Sequence, residues 1–428
     1  MEPQQLAAPT ANDLEWFRAE ATRIHSINRQ VGFAAWAKAD FDFTCPSSAT
    51  YPFQWFWDSC FHAIVLSHID IAKAEAELLS LVQNQHPDGF ISHVTFWQRD
   101  HYEHMVQTYD IAFRSKYLSD EMQPPLLAEA VAAVALRGRG QDFLREILPS
   151  VERFYEWLNN ARNPFGDGLI RVVQPDETGL DHSPIWDEVM KIQDEEKESW
   201  IRGWHSICDP YDEFQRDTTK MIELDHFVVA DVMLNTIYIE NLEVLSKLFS
   251  QVGDSEKAQR YESRRDHARA SLDDLCWDQE DGLYYDVNGR ANHKMRTNTV
   301  SSLMPLLLQD LDIAKYQALM NHLLNPDEYW ATFPVPSVAM NHPSYRPDVV
   351  GTNLVWRGPT WINSNWYIGR GLIRHGRLDL ARHIAAQSVA LMRQSGVREY
   401  YNPSTGVGRG APDFSWSTIL FDLLNEVL

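Results

Sequence analysis

The sequence predicts an all-α protein in which alternating inner and outer helices close an (α/α)6 barrel, and two patterns carry that prediction. Helical spacing of apolar residues recurs along most of the chain while strand-like alternation is scarce, and consecutive helices differ in how much of their surface is apolar. About twelve candidate helices, or six hairpins, lie near 13–29, 58–70, 72–84, 125–137, 142–160, 226–249, 254–276, 298–309, 312–324, 360–375, 378–394 and 413–427. The first sets Leu14, Phe17, Ala21, Ile24 and Ile27 near one face, with Asp13 as its candidate cap. Residues 126–136 (LLAEAVAAVAL) are apolar nearly all round and require burial on most faces, whereas 142–160 carries Arg145, Glu146, Glu152, Arg153 and Glu156 on one side. The contrast recurs between 226–249, with Phe227, Val228, Val229, Val232, Met233 and Leu234, and 254–276, with Glu256, Lys257, Arg260, Glu262, Arg264 and Arg265. A ring of inner helices wrapped by outer ones gives both classes the burial they need.

No Ser/Gly/Pro-rich linker or charge block divides the 428 residues, so one domain over 1–428 is expected. The longest break in helical pattern, about 161–225, is rich in Trp and Asp and reads as a functional insertion. A net charge of −22 repels phosphate backbones and anionic headgroups, which excludes nucleic acid and membrane surfaces as partners and obliges any anionic ligand to find a local basic contact. The N-terminal MEPQQLAAPTANDLEWF lacks a basic stretch followed by an apolar one, and no apolar run approaches the roughly 20 residues of a membrane span, so a cytoplasmic address is expected. Cys45, Cys60, Cys208 and Cys276 show no CxxC spacing and read as buried thiols. His86, His93, His101 and His104 form no HExxH motif, and GxGxxG, Walker and G-x-S-x-G signatures are missing, so neither metal nor cofactor is expected.

Four stretches carry chemistry. Tyr51-Pro-Phe-Gln-Trp-Phe-Trp-Asp58 interleaves flat rings with hydrogen-bonding groups just before a helix, which suits a sugar with its C–H patches and hydroxyls; an aromatic core with Asp58 as a helix cap is the plainer alternative. Gln174 to Asp187 places Asp176, Glu177 and Asp181 beside Gly179 on a kinked loop, where one carboxyl can be desolvated into a general acid, although spacing does not select which. Arg398-Glu-Tyr-Tyr-Asn-Pro sets Glu399 among aromatics ahead of a turn, a second carboxyl that can face the first across one bond. Trp356-Arg-Gly-Pro-Thr-Trp361 leads into a helix on which Trp361 and Asn365, four apart, offer a stacking surface and an amide.

Taken together, YPFQWFWDSCFHA (51–63), DGFISH (88–93), Gln123-Pro-Pro, ETGLDHSP (177–184), Trp356-Arg-Gly-Pro-Thr-Trp and REYYNPSTG (398–406) resemble glycoside hydrolase family 63, especially its short bacterial members acting on mannosylglycerate or glucosylglycerate. The resemblance runs from about Tyr51 to Phe421. It implies an (α/α)6 barrel, inversion at the anomeric carbon, Asp181 as general acid and Glu399 as general base. It further implies sugar contacts from Tyr51, Trp55, Trp57, Asp58, Gln123, Gly179 and Trp356, a contact from Arg216 to the glycerate carboxylate, and a small-molecule glycoside as the partner. Val355 stands where the pattern has an aromatic. Three other readings are weighed: an α-glucosidase for a neutral disaccharide such as kojibiose or trehalose, a sugar epimerase moving protons through His86 or His93, and a carbohydrate-binding barrel without catalysis.

Overall fold

The computed structural model describes residues 6–108, 111–194, 196–348 and 354–428. It is mostly helical, with small sheets of two to four strands among the described residues. Helix α1 (Ala11–Ile27) opens on a capping box in which Thr10, rather than Asp13, is the cap: the Thr10 hydroxyl accepts the Asp13 N–H and the Asp13 carboxylate accepts the Thr10 N–H at 3.0 Å. The helix ends at Ile27, which is therefore exposed rather than part of the apolar face.

The expected division into well-covered and one-sided helices holds along the chain. Helix α2 (Phe56–Ser67), buried at every position, is backed by α3 (Ile71–Gln83), and α4 (Leu127–Arg137) by α5 (Gln141–Arg162). After the insertion, whose main helix is α6 (Lys197–Cys208), α7 (Val232–Gln251) is backed by α8 (Ser255–Leu275) and the segment Val300–Leu307 by α9 (Ile313–Leu323). Helix α10 (Ile362–Arg374) is backed by α11 (Leu378–Ser395), and α12 (Leu420–Val427) by α1. The first members also pack on one another in turn: α2 on α4, α4 on α7, α7 on Val300–Leu307, that segment on α10, α10 on α12, and α12 on α2. Burying Phe56, Trp57, Phe61, Ile64, Val65 and Leu66 of α2 contributes about 1.5–3 kcal/mol per side chain.

Helices Arg99–Thr108, α6 and Thr218–Leu224 arise where none is expected, and two further elements differ from the helical expectation. The helix expected over 298–309 is a 3-10 segment, Val300–Leu307, with Pro305 inside it: proline has no N–H for an α-helical bond and its ring clashes with the carbonyl four residues back. Residues just after α1 form an antiparallel hairpin of β1 (Arg29–Ala34) and β2 (Ala39–Thr44), in which Phe41 and Phe43 are buried while Asp40 is exposed. No helix among the described residues is long and apolar enough to cross a membrane, and all four cysteines are free and buried.

Candidate active site

The loop after α5 separates its three acids by their partners. Glu177 is consumed: its two oxygens take the guanidinium of Arg162 at 2.5 and 2.9 Å, and the same oxygens accept the N–H groups of Met122 at 3.3 Å and Val173 at 2.8 Å. Both members of that pair are 1% exposed, so it staples the loop to the end of α5 and is structural. Asp176 accepts the indole N–H of Trp204 at 2.9 Å. Gly179, at φ +70°, turns the chain against the ring of Trp57, where a Cβ would meet two ring carbons at 2.6 Å. Asp181 follows two residues later, its turn held by the Leu180 carbonyl, which accepts the Ser183 N–H at 3.0 Å and the Trp186 indole N–H at 3.1 Å. Asp187 closes the loop with a two-pronged pair to the buried Arg357, at 2.5 and 2.7 Å.

Glu399 lies on β3 (Arg398–Tyr401), which pairs with β4 (Gly408–Pro412) across a register shift between Arg398 and Tyr400. Its Oε2 accepts the Ala411 N–H at 2.8 Å. Gly410, at φ +65°, leaves the room this needs, because a Cβ there would sit 2.3 Å from that oxygen.

Aromatic rings span the two loops. Trp57 donates its backbone N–H to Gln123 at 3.1 Å and meets Trp416 edge-on at 4.9 Å. Trp416 lies 5.6 Å from Trp361, which stacks on Trp356 at 4.0 Å and contacts Tyr400, the neighbour of Glu399, at 4.7 Å. Tyr51 and Trp55 meet edge-on at 6.3 Å and are both partly exposed. The indole N–H groups of Trp55, Trp361 and Trp416 are buried without a partner among the described residues, and buried donors of this kind call for an acceptor. Trp204 and Trp416 escape sequence reasoning, since nothing local marks them apart from ordinary core tryptophans.

Three carboxyls share one electrostatic neighbourhood. Burial pushes Asp58 well above the usual carboxylate range, and the charges of Glu399 and Asp181 add to the push. Burial likewise raises Asp181 well above its ordinary value, with Asp176 and then Glu399 adding to it, although Asp181 keeps partial exposure. Glu399 is pushed up to about 7 by burial, while the Ala411 N–H and Arg398 pull the other way. Asp58 occupies the first turn of α2 without capping it, since the cap residue is Trp55 and no side chain bonds the helix end.

Other expectations meet different fates. Asn365 spends its amide on the Pro334 carbonyl at 2.9 Å and the Ser388 hydroxyl at 3.0 Å, and accepts the Val335 N–H at 2.9 Å, so it has no group left for a sugar. His93 is driven down to about 3 by burial, which keeps it neutral. Arg216 pairs through Nε with Asp120, through Nη2 with the Gln174 amide oxygen at 3.2 Å, and through Nη1 with Asp212 at 3.5 Å. With Asp88, Arg114, Asp120 and Trp157 it lines a groove of about 690 Å³. Val355 is partly buried against the core. No group of three or more His, Cys, Asp or Glu among the described residues is placed to hold a metal ion.

Comparison with known proteins converges on one family. The family model of the mannosylglycerate hydrolase MGH1-like glycoside hydrolase domain matches residues 51–417. The mannosylglycerate hydrolase of Thermus thermophilus is 30% identical over 411 residues, covering 88% of this chain and 95% of that protein. The glucosylglycerate hydrolase of Mycolicibacterium hassiacum is 25% identical, covering 87% and 92%. The crystal structure of a GH63 mannosylglycerate hydrolase from Thermus thermophilus in complex with glucose matches at a TM-score of 0.80 and 29% identity, over 96% of this chain and 100% of that one. The same enzyme in complex with Tris and D-glycerate matches at 0.80 and 28%. This chain is therefore a glycoside hydrolase of family 63 and belongs to its mannosylglycerate hydrolase MGH1-like group.

Proposed function

We propose that the enzyme hydrolyses a small α-glycoside with inversion, 2-O-α-mannosylglycerate or 2-O-α-glucosylglycerate, with Asp181 as general acid and Glu399 as general base. The observation that carries this reading is the contrasting setting of two carboxyls in one neighbourhood: burial and the charges of Asp176 and Glu399 push Asp181 well above the usual carboxylate range, while Glu399 has an N–H donor and a nearby arginine that pull against burial. Asp181 gives its proton to the glycosidic oxygen as the bond to the anomeric carbon breaks; Glu399 takes a proton from the water that attacks the opposite face. Net products are hexose of inverted configuration and glycerate. Tyr51, Trp55, Trp57, Asp58, Gln123, Gly179 and Trp356 form the sugar-binding wall. The turn-by-turn packing of α2, α4, α7, Val300–Leu307, α10 and α12, each backed by an outer helix, supports an (α/α)6 barrel comprising the single domain 1–428. Named relatives act on glycosylglycerates, and related structures hold glucose or D-glycerate, which supports the substrate class.

One observation favours a second aglycone. All three guanidinium nitrogens of Arg216 already face protein acceptors, so a glycerate carboxylate has to compete with Asp120 and Asp212 for it. A neutral disaccharide such as kojibiose or trehalose needs no such exchange. Both readings are tested by incubating the enzyme with mannosylglycerate, glucosylglycerate, kojibiose and trehalose and following product anomers by proton NMR. The β-anomer as first product from a glycosylglycerate, absent in Asp181→Asn and Glu399→Gln, supports the mechanism; an initial α-anomer from that substrate, or either variant retaining more than a few per cent of turnover, removes it.

A further inference from the structure

Acid and base in this site have to hold opposite protonation states, yet burial pushes both upward. Something must break that symmetry. On the base side it is broken by the Ala411 N–H, 2.8 Å from Glu399, and by Arg398. On the acid side the only N–H among the described residues that lowers Asp181 is its own, and the strongest charge acting on it belongs to Asp176. Asp176 shares the turn that carries Asp181, its carbonyl accepting the Gly179 N–H, whereas Glu399 lies on β3.

Asp176 is held in place from three directions. Its carboxylate receives the indole N–H of Trp204 at 2.9 Å, from α6 of the insertion. Its backbone carbonyl accepts the Gly179 N–H at 3.1 Å, within the turn that carries Asp181. Its neighbour Glu177 is locked on the buried Arg162. Trp204 is itself 9% exposed, so its ring is fixed by packing and its N–H has a defined direction.

We propose that Asp176, fixed by the Trp204 indole, is the positioning residue that assigns the catalytic proton to Asp181 rather than to Glu399. The proposal rests on the acid–base reading above. A buried carboxylate beside a second one favours the protonated form of its neighbour, provided it stays ionised itself. Burial pushes Asp176 up to about 6, with the Trp204 N–H pulling down, so it is charged from about neutral pH upward. That is the range in which Asp181 has to be kept protonated. The groups facing Asp176 are Glu177 on its own turn, Glu121 from the preceding segment and Cys208 from α6; those facing Asp181 are Asp176, Glu399 and Asp58. Arg216 reaches this group through Glu121 and Cys208, and Arg357 and Lys197 act on the adjacent His182. Helix α6 thereby acquires a role in catalysis through one indole nitrogen.

The test is the pH profile of kcat/KM for wild type, Asp176→Asn, Asp176→Ser, Asp176→Glu and Asp181→Asn, on the best glycoside and on the matching α-glycosyl fluoride, whose leaving group departs with little protonation. Removing the charge in Asp176→Asn and Asp176→Ser is expected to move the alkaline limb down by about one pH unit, a loss of about tenfold above the limb, while Asp176→Glu restores it. On the fluoride the same variants are expected to lose at least about threefold less than on the glycoside, because that substrate asks little of a general acid. An alkaline limb unmoved in variants that melt like wild type, or equal losses on both substrates, overturns the proposal and leaves Asp176 as a structural partner of Trp204. Asp181→Asn separates the two readings: if it keeps turnover on the glycoside, the acid assignment itself fails; if it is inactive there while Asp176→Asn keeps the wild-type limb, only the role of Asp176 falls.

Discussion

Replacing Gly179 by alanine tests whether the loop that bears Asp181 is aimed by Trp57. The residue sits at φ +70°, and an added Cβ would lie 2.6 Å from two carbons of the Trp57 ring, about 1 Å inside ordinary carbon contact. A left-handed alanine costs about 1–2 kcal/mol and overpacking about 1–3, so the native loop geometry is penalised by about 2–5 kcal/mol. Trp57 cannot give way: it is 2% exposed, its N–H is bonded to Gln123 and its ring abuts Trp416 at 4.9 Å. The turn has to lift instead, carrying Asp181 with it, and a shift near 1 Å at a catalytic group costs on the order of 10²-fold in rate. The assay is kcat/KM on a glycosylglycerate alongside calorimetric unfolding. With an unfolding entropy of about 2.1 cal/mol/K per residue, the penalty lowers Tm by about 2–6 °C. A variant with that fall in Tm and wild-type kcat/KM refutes the reasoning, because Gly179 then serves the fold without aiming the acid.

Three further outcomes follow from named partners. Glu399 must be ionised to take a proton, and burial holds it up to about 7, so kcat/KM is expected to fall as pH drops below about 7; a limb near the ordinary value of 4.5 contradicts its placement as base. Glu177→Gln leaves Arg162 buried without a counter-charge and is expected to cost about 3–5 kcal/mol in urea unfolding, a loss that an exposed pair would not show. Arg216→Ala raises KM for a glycosylglycerate at least about tenfold more than for a neutral disaccharide if the arginine holds the carboxylate, whereas equal losses mark it as the partner of Asp120 and Asp212.

Much of the architecture is legible because helices write their burial into a 3.6-residue period: LLAEAVAAVAL has to be covered on most faces, and Leu127–Arg137 packs between α2 and α7. The hairpin over 29–44 is not. Val31 and Phe33 on β1 point outward and are exposed, which hides the alternation that Phe41 and Phe43 display on β2. The expectation for Asn365 fails for a geometric reason. Trp361 is the cap residue, with an extended backbone outside the helix, so four-residue spacing does not set the two on one helical face. Among the acids of 176–181, selection needs Arg162 on α5 and Trp204 on α6, and no local pattern announces a partner supplied by another element. Indole direction is likewise set by tertiary packing, which is why no local signal points to Trp416.

The way the last helix docks has a consequence for synthesis on the ribosome. Asp422 accepts the Trp366 indole N–H at 2.9 Å and bonds His68 at 2.8 Å; the Ser415 hydroxyl donates to the Cys45 carbonyl at 3.0 Å, and Arg23 pairs with Asp413 at 2.6 Å. The bonds to His68, Cys45 and Arg23 join early residues to late ones. At about 5–20 residues per second, roughly 17–70 s separate the emergence of Asp58 from that of Glu399. Throughout that interval α2, apolar and destined for burial at every position, waits without the surface that α12 supplies. A nascent chain paused before residue 413 therefore presents an uncovered hydrophobic helix to its surroundings, and the yield of active enzyme depends on what shields it until the final turns arrive.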